Sequence, residues 1–556
     1  MNKPEKPIDS CGIIPLILFF VLLAAPACLV GWHGIDRPYF AIPDQDLLWL
    51  SEGMRLVRGV APSYADHPGA IWSLISFLNL EILLRHVGTG SIWVLEMNQL
   101  LPSAVAEKGV FLMRIQNTFL VAALPVLFYI LALQYRVRRS LALVSAFVLS
   151  SSTALLVAVS EIRHEVMSMF FFSLFLLATN SLIKGCLRGD LLWKRLMLVA
   201  LVFASFFLLC FSKQQALCLF PFAVLSAGWV YWIDRGDRAC LSGEASFAGS
   251  LFSVPLSRKL FSTLIAGSSI VWVLSALPDI DLINLPFWIF INAFLVFLVF
   301  ASIVDFFPAQ RAVGVSLLSV LIAQLFVFRV LSPGWWRQAV TGFPSWMFQY
   351  ANDADDKIAH SFSGFKNYLG DFFLNQDFGF WLVVLLSIAS LLSLFMQFQK
   401  IRMCTEVTAC SESAQALGRG VLVDAAWLFS VLLAIAFTQR FAVRYEIYFY
   451  APFLMLAAMR AELSFAQLQV SGFASKSFTD AFLGLGCAIF LALLLFKSTS
   501  NLSRLPEFVN SGQPAEFLCF GHHMDRSMES TVAGACPNFD EAKKSKDSYD
   551  SWWGPN

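Results

Sequence analysis

A chain of 556 residues with 58% hydrophobic and 14% charged positions and a mean hydropathy of +0.68 is excluded from the soluble globular class, where about a quarter of residues carry charge. A net charge of +1 and a pI of about 7.5 provide no basic field for nucleic acid. The eleven cysteines are scattered, without a CxxC or a Cys/His cluster, so no zinc or dithiol centre is legible in their spacing.

A bilayer core needs about 20 apolar residues per helix, and only helices or closed barrels satisfy the backbone there. The expected fold class is therefore an all-α polytopic membrane protein with about thirteen transmembrane helices. The first, 13–30, follows Lys3 and Lys6 and contains Ala24, Ala25, Pro26 and Ala27 in the manner of a signal peptide. The many apolar runs after it make it an uncleaved first span. The next run over 110–134, 141–159, 166–183, 196–211, 216–233, 260–277 and 285–304. Five more follow at 312–331, 380–397, 421–437, 447–459 and 478–496. No internal repeat is visible.

Residues 69–84 are also apolar, but counting them as a span would put Arg136, Arg138 and Arg139 outside, against the positive-inside rule. As an interfacial or re-entrant helix, this segment leaves the short basic loops on one side: 136–139, 184–195, 235–238, Arg258 with Lys259, Arg311, and Lys400 with Arg402. That side is expected to be cytoplasmic. The opposite side receives the loops 31–108 and 332–378 and the tail 498–556, so residues 1–497 form the membrane domain. Cys519 and Cys536 are the two cysteines of the polar tail and form a disulfide candidate, the alternative being two unpaired thiols.

Loop 31–108 concentrates ionisable residues: Asp36, Arg37, Asp44, Asp46, Glu52, Arg55, Arg58, Asp66 and His67. Pro43, Asp44, Gln45 and Asp46 precede a helical run over 47–57, which puts one aspartate at or near an N-cap. Carboxylates at i and i+2 do not share a helix face, but in a turn they can converge on one proton or one metal. The plainer reading is a helix cap beside a solvated charge.

The sequence continues through Gly59, Tyr64, Asp66, His67, Pro68 and Gly69 into the interfacial segment. An acidic pair after the first span, a helix, then a His-Pro-Gly turn resembles the first periplasmic loop of GT-C glycosyltransferases, above all the protein O-mannosyltransferase and lipid A aminoarabinose transferase group. That group carries an acidic pair followed by HPP or HPG; this chain has DQD where many members have DE. Arg163 and Glu165 after the third span, Lys213 after the fifth, and Arg444 and Tyr445 with Pro452 after the eleventh are similar to its charged outer loops. For any one of these cations the plainer reading is snorkelling to the interface.

The resemblance implies a sugar donor on a polyprenyl phosphate, such as undecaprenyl phosphate, held by Arg163, Lys213 and Arg444, with His67, Glu165 and Tyr445 near the substrate. Asp44 or Asp46 would be the catalytic base in an inverting displacement, and a divalent cation at that pair stays open. The acceptor is a lipid, a glycan or a protein. Trp335, Trp336, Trp346, Phe348 and Tyr350 either stack on it or form an ordinary aromatic belt. The expected location is a bacterial inner membrane with the site facing the periplasm. A transporter or flippase for lipid-linked sugars, and a non-catalytic scaffold on the same fold, are the alternatives. Asn501, Leu502 and Ser503 form a glycosylation sequon that has meaning only in a eukaryotic secretory pathway.

Overall fold

The computed structural model describes residues 13–35, 46, 48–57, 59, 70–86, 103–160, 162–188, 190–212, 219, 222, 223, 226, 229, 230, 233, 384–396, 420, 423, 424, 426–428, 430, 431 and 447–470. Among them every regular element is helical and there is no strand. The helices are α1 (Ile13–Ile35), α2 (Leu48–Val57), α3 (Ala70–His86), α4 (Ser103–Gln134), α5 (Arg139–Ser150), α6 (Thr153–Ser160), α7 (His164–Arg188) and α8 (Leu192–Ser212). They are followed by α9 (Val384–Met396) and α10 (Ile447–Val470). Among the described residues two stretches are long and apolar enough to cross a membrane, Glu107–Gln134 of α4 and His164–Gly185 of α7.

α4 is the hub, with α1, α3, α5 and α7 packed around it and α10 closing against α4, α5 and α7. α7 and α8 form a hairpin, and α2 lies on α3. Small residues set the closest approaches. A Cβ on Gly31 of α1 would meet the Thr118 side chain of α4, and one on Gly53 of α2 would meet Ser76 and the backbone of Phe77 on α3. Glycine at these points lets the helix backbones come within reach of each other.

The single span expected over 141–159 is in fact two helices, and three consecutive serines make the break. Ser151 Oγ donates back to the Phe147 carbonyl at 2.9 Å, and Ser152 Oγ donates to Leu149 O at 2.8 Å. Ser152 Oγ also accepts the Leu155 N–H at 3.3 Å, capping the start of α6. Hydroxyls that bond the local backbone compete with the helical ladder. Ser150 Oγ instead reaches Leu23 O of α1 at 2.6 Å, so the break is pinned to a neighbour.

α4 ends in a Schellman turn. Val137 N–H reaches Ala132 O and Arg136 N–H reaches Leu133 O, both at 3.0 Å, with Arg136 in the left-handed region at φ 62°.

α3 has the reverse of a soluble helix's polarity. Ser73, Ser76 and Asn79 are buried, while Leu74, Leu78 and Ile82 are each more than half exposed. Asn79 and Gln116 of α4 exchange side-chain hydrogen bonds at 3.0 and 3.2 Å. Such a helix suits a surround less polar than its own interior contacts. α1, α4, α8 and α9 likewise turn Val21, Phe119, Met197 and Phe395 outward.

Charges collect at the two ends of the bundle. Arg114 lies near the start of α4 and Arg138 just beyond its end, with no charged residue from 115 to 134. At 1.5 Å per residue that interval is about 30 Å, the thickness of a bilayer's hydrocarbon core.

Candidate active site

The end of the bundle at which α1 finishes and α2 begins is organised around Asp46. Its side chain is fully buried. Oδ2 accepts Arg114 Nε at 2.9 Å and faces Arg114 Nη2 at 2.7 Å, while Oδ1 accepts the Ile162 N–H at 3.1 Å. Arg114, 3% exposed, also donates through Nη1 to Ile35 O at 3.3 Å. One ion pair thus joins the end of α1, the approach to α2, the outer part of α4 and the turn between α6 and α7. Removing two ions from water costs several kcal/mol each, so such a pair persists only when its geometry and further hydrogen bonds offset that cost.

Asp46 is therefore neither a cap on α2 nor a solvated charge. Its carboxylate is directed at Arg114 and Ile162, and α2 begins two residues later at Leu48. The Arg114 guanidinium already occupies the cationic position against this carboxylate. Among the described residues no group of three or more His, Cys, Asp or Glu side chains is arranged to hold a metal ion.

Ile162 leads directly into Arg163, His164 and Glu165, all buried at the start of α7. His164 Nε2 lies 3.4 Å from Glu165 Oε1, and the His164 ring meets Trp49 of α2 edge-on at 5.7 Å between centroids. Glu165 extends the cluster through its carbonyl, which accepts Ser168 Oγ at 2.7 Å; that hydroxyl pairs with Tyr448 OH of α10 at 2.9 Å. Asn117, one turn below Arg114, donates to Ala158 O at 2.8 Å and Val159 O at 3.4 Å, holding the last carbonyls of α6 beneath the Ile162 turn.

Among the residues singled out in the sequence, the structure gathers Asp46, Arg163 and Glu165 at one end. The chain matches no protein family, no curated protein and no solved structure. The chemistry of the cluster is thus what its own residues permit: the buried carboxylates of Asp46 and Glu165 beside the buried Arg114 and Arg163. Asp44, His67, Lys213, Arg444 and Tyr445 lie outside the described residues, as do Cys519, Cys536, the loop 332–378 and the tail from 498.

Arg114, Asn117 and Trp49 hold this end together without figuring among the sequence candidates. One signal pointed to Arg114: a guanidinium five positions into an apolar run is costly in lipid unless partnered, which makes a buried acid its expected companion.

Proposed function

We propose that the chain is an integral membrane glycosyltransferase of about thirteen spans in a bacterial inner membrane. It moves a sugar from a polyprenyl phosphate to a lipid, glycan or protein acceptor at the periplasmic face. The observation that carries this reading is the hydrogen bond from the Ile162 N–H to Asp46 Oδ1. It brings the acid of the first outer loop to the turn that bears Arg163 and Glu165, as a shared site for proton removal and phosphate binding requires.

In the proposed reaction an aspartate of the DQD segment takes the proton of the acceptor hydroxyl or amine. The acceptor atom attacks the anomeric carbon from the face opposite the phosphate, and the carbon–oxygen bond to phosphate breaks with inversion. The electron pair leaves on polyprenyl phosphate, whose charge Arg163, Lys213 and Arg444 would stabilise. Both oxygens of Asp46 already accept hydrogen bonds, which favours Asp44 as the proton acceptor and Asp46 as the group that sets the turn.

The test is transfer from a labelled polyprenyl-phosphate sugar by the full chain in proteoliposomes. Asp44→Asn is expected to lower turnover by about 100-fold or more, the usual weight of a general base. Arg163→Gln is expected to raise the donor KM with less effect on the acceptor. Unchanged transfer by a correctly inserted Asp44→Asn/Asp46→Asn protein would remove the base assignment. Movement of labelled lipid across the bilayer without loss of its sugar would make the protein a flippase.

A further inference from the structure

A cavity of ≈ 80 Å³ lies between α4, α7, α10 and the side chains of Phe222, Ser226, Trp229, Val423 and Ala426. It is far larger than the roughly 15 Å³ that one water needs. Phe172, Trp229, Met455 and Met459 are among its walls, and among the described residues no Asp, Glu, Lys, Arg or His side chain lines it. Asp424 and Arg460, each adjacent in sequence to a lining residue, pair with one another instead. From Ala451 to Met459 the wall formed by α10 is about 12 Å long.

Apart from Ser173, the polarity of the cavity is gathered where α4 ends. Tyr135 OH and Ser226 Oγ, both lining, lie 2.6 Å apart, and Ser226 Oγ donates to Asn180 Oδ1 at 3.0 Å. Trp229 Nε1 donates to the Tyr135 carbonyl at 3.2 Å. Burial pushes the Tyr135 phenol up, while its hydrogen bond with Ser226 pulls it the other way. Asn180 is fully buried, and among the described residues its Nδ2 has no hydrogen-bond partner. Turning the amide over would leave Oδ1 in that position, so this chain of polar groups has one unused hydrogen-bonding place in either orientation.

An apolar chamber with one uncharged polar end complements a molecule of the same pattern. We propose that this cavity binds a neutral single-chain amphiphile, a long-chain alcohol or monoacylglycerol. Its hydroxyl end sits at Tyr135 and Ser226, with Asn180 behind Ser226, and its chain runs between α7 and α10. Unbranched methionines among the walls adapt to a flexible chain. The hydroxyl end lies at Tyr135, just past the end of α4 and about 30 Å along that helix from Arg114, so this site is separate from the Asp46 cluster and does not depend on glycosyl transfer.

The experiment uses the full chain in lipid nanodiscs with two diazirine probes of equal chain length, an alcohol and a fatty acid. The alcohol is expected to label α7 near Phe172 and α10 near Met455 at least tenfold more than the ionised acid, and excess monoacylglycerol to compete. Ala426→Phe, which fills the cavity, should abolish labelling; Ala451→Leu serves as a second filling variant if the first fails to fold. Ser226→Ala with Asn180→Leu should bring the alcohol down to the level of the acid. Equal labelling by both probes, insensitive to Ala426→Phe, would mean ordinary bilayer contact and overturn the proposal. Absence of labelling in this region would do the same, leaving the cavity to water.

Discussion

The two ends of the bundle hold their charges by different means. At the Asp46 end, both partners are withdrawn from water, at 0% and 3% exposure; the guanidinium also holds the end of α1 and the carboxylate the Ile162 turn. At the opposite end, Arg138 donates through its backbone N–H and through Nε to Glu462 of α10 at 3.0 and 2.8 Å, with both side chains about a fifth exposed. Water still reaches that pair. The first arrangement fixes geometry at high desolvation cost, whereas the second tethers α10 across 324 residues with little commitment of free energy.

The sharpest way to break this contrast is to delete one partner at each end. Arg114→Met leaves the buried Asp46 carboxylate without its counter-ion and is expected to destabilise the protein by about 3–5 kcal/mol. Thermal unfolding in detergent measures this, and adding Asp46→Asn should recover much of the loss. A cost for Arg114→Met below that of the corresponding change at Arg138 would reverse the comparison. Asn117→Ala tests whether the Asp46 end is a network or a lone pair: removing its bonds to the α6 carbonyls should cost about 1–3 kcal/mol. Its effect should be non-additive with Arg114→Met, since both act on the Ile162 turn. Smallest of the three, Arg138→Ala is expected to change stability by about 1 kcal/mol or less. Added salt should narrow its difference from the parent protein while leaving the Arg114→Met effect nearly unchanged.

Local hydropathy located the long helices well, because an apolar run of bilayer length is itself the cause of the element. The expected 110–134 lies within α4 and 166–183 within α7; 47–57 differs from α2 by one residue at its start, and 69–84 from α3 by one and two residues at its ends. Where hydroxyls compete with the backbone, hydropathy was a poor guide: Ser150, Ser151 and Ser152 sit in an apolar run, and their effect depends on which carbonyl each hydroxyl finds. Of the candidate site, Asp46, Arg163 and Glu165 were legible as residue types. Its wiring was not, because Asp46 and Arg114 are 68 residues apart and Asp46 and Ile162 are 116 apart. Nothing in the local pattern distinguishes an aspartate that caps its own helix from one that reaches across to another. Only the buried charge within α4 hinted at the pairing.

The reversed polarity of α3 bears on how the protein is made. Three inward polar side chains, one of them bonded to Gln116, give this helix little reason to enter hydrocarbon before its neighbours are in place. As the chain leaves the ribosome, α3 is expected to stay outside the hydrocarbon until α4 arrives. A nascent chain arrested before Gln116 emerges would therefore keep α3 accessible to aqueous reagents.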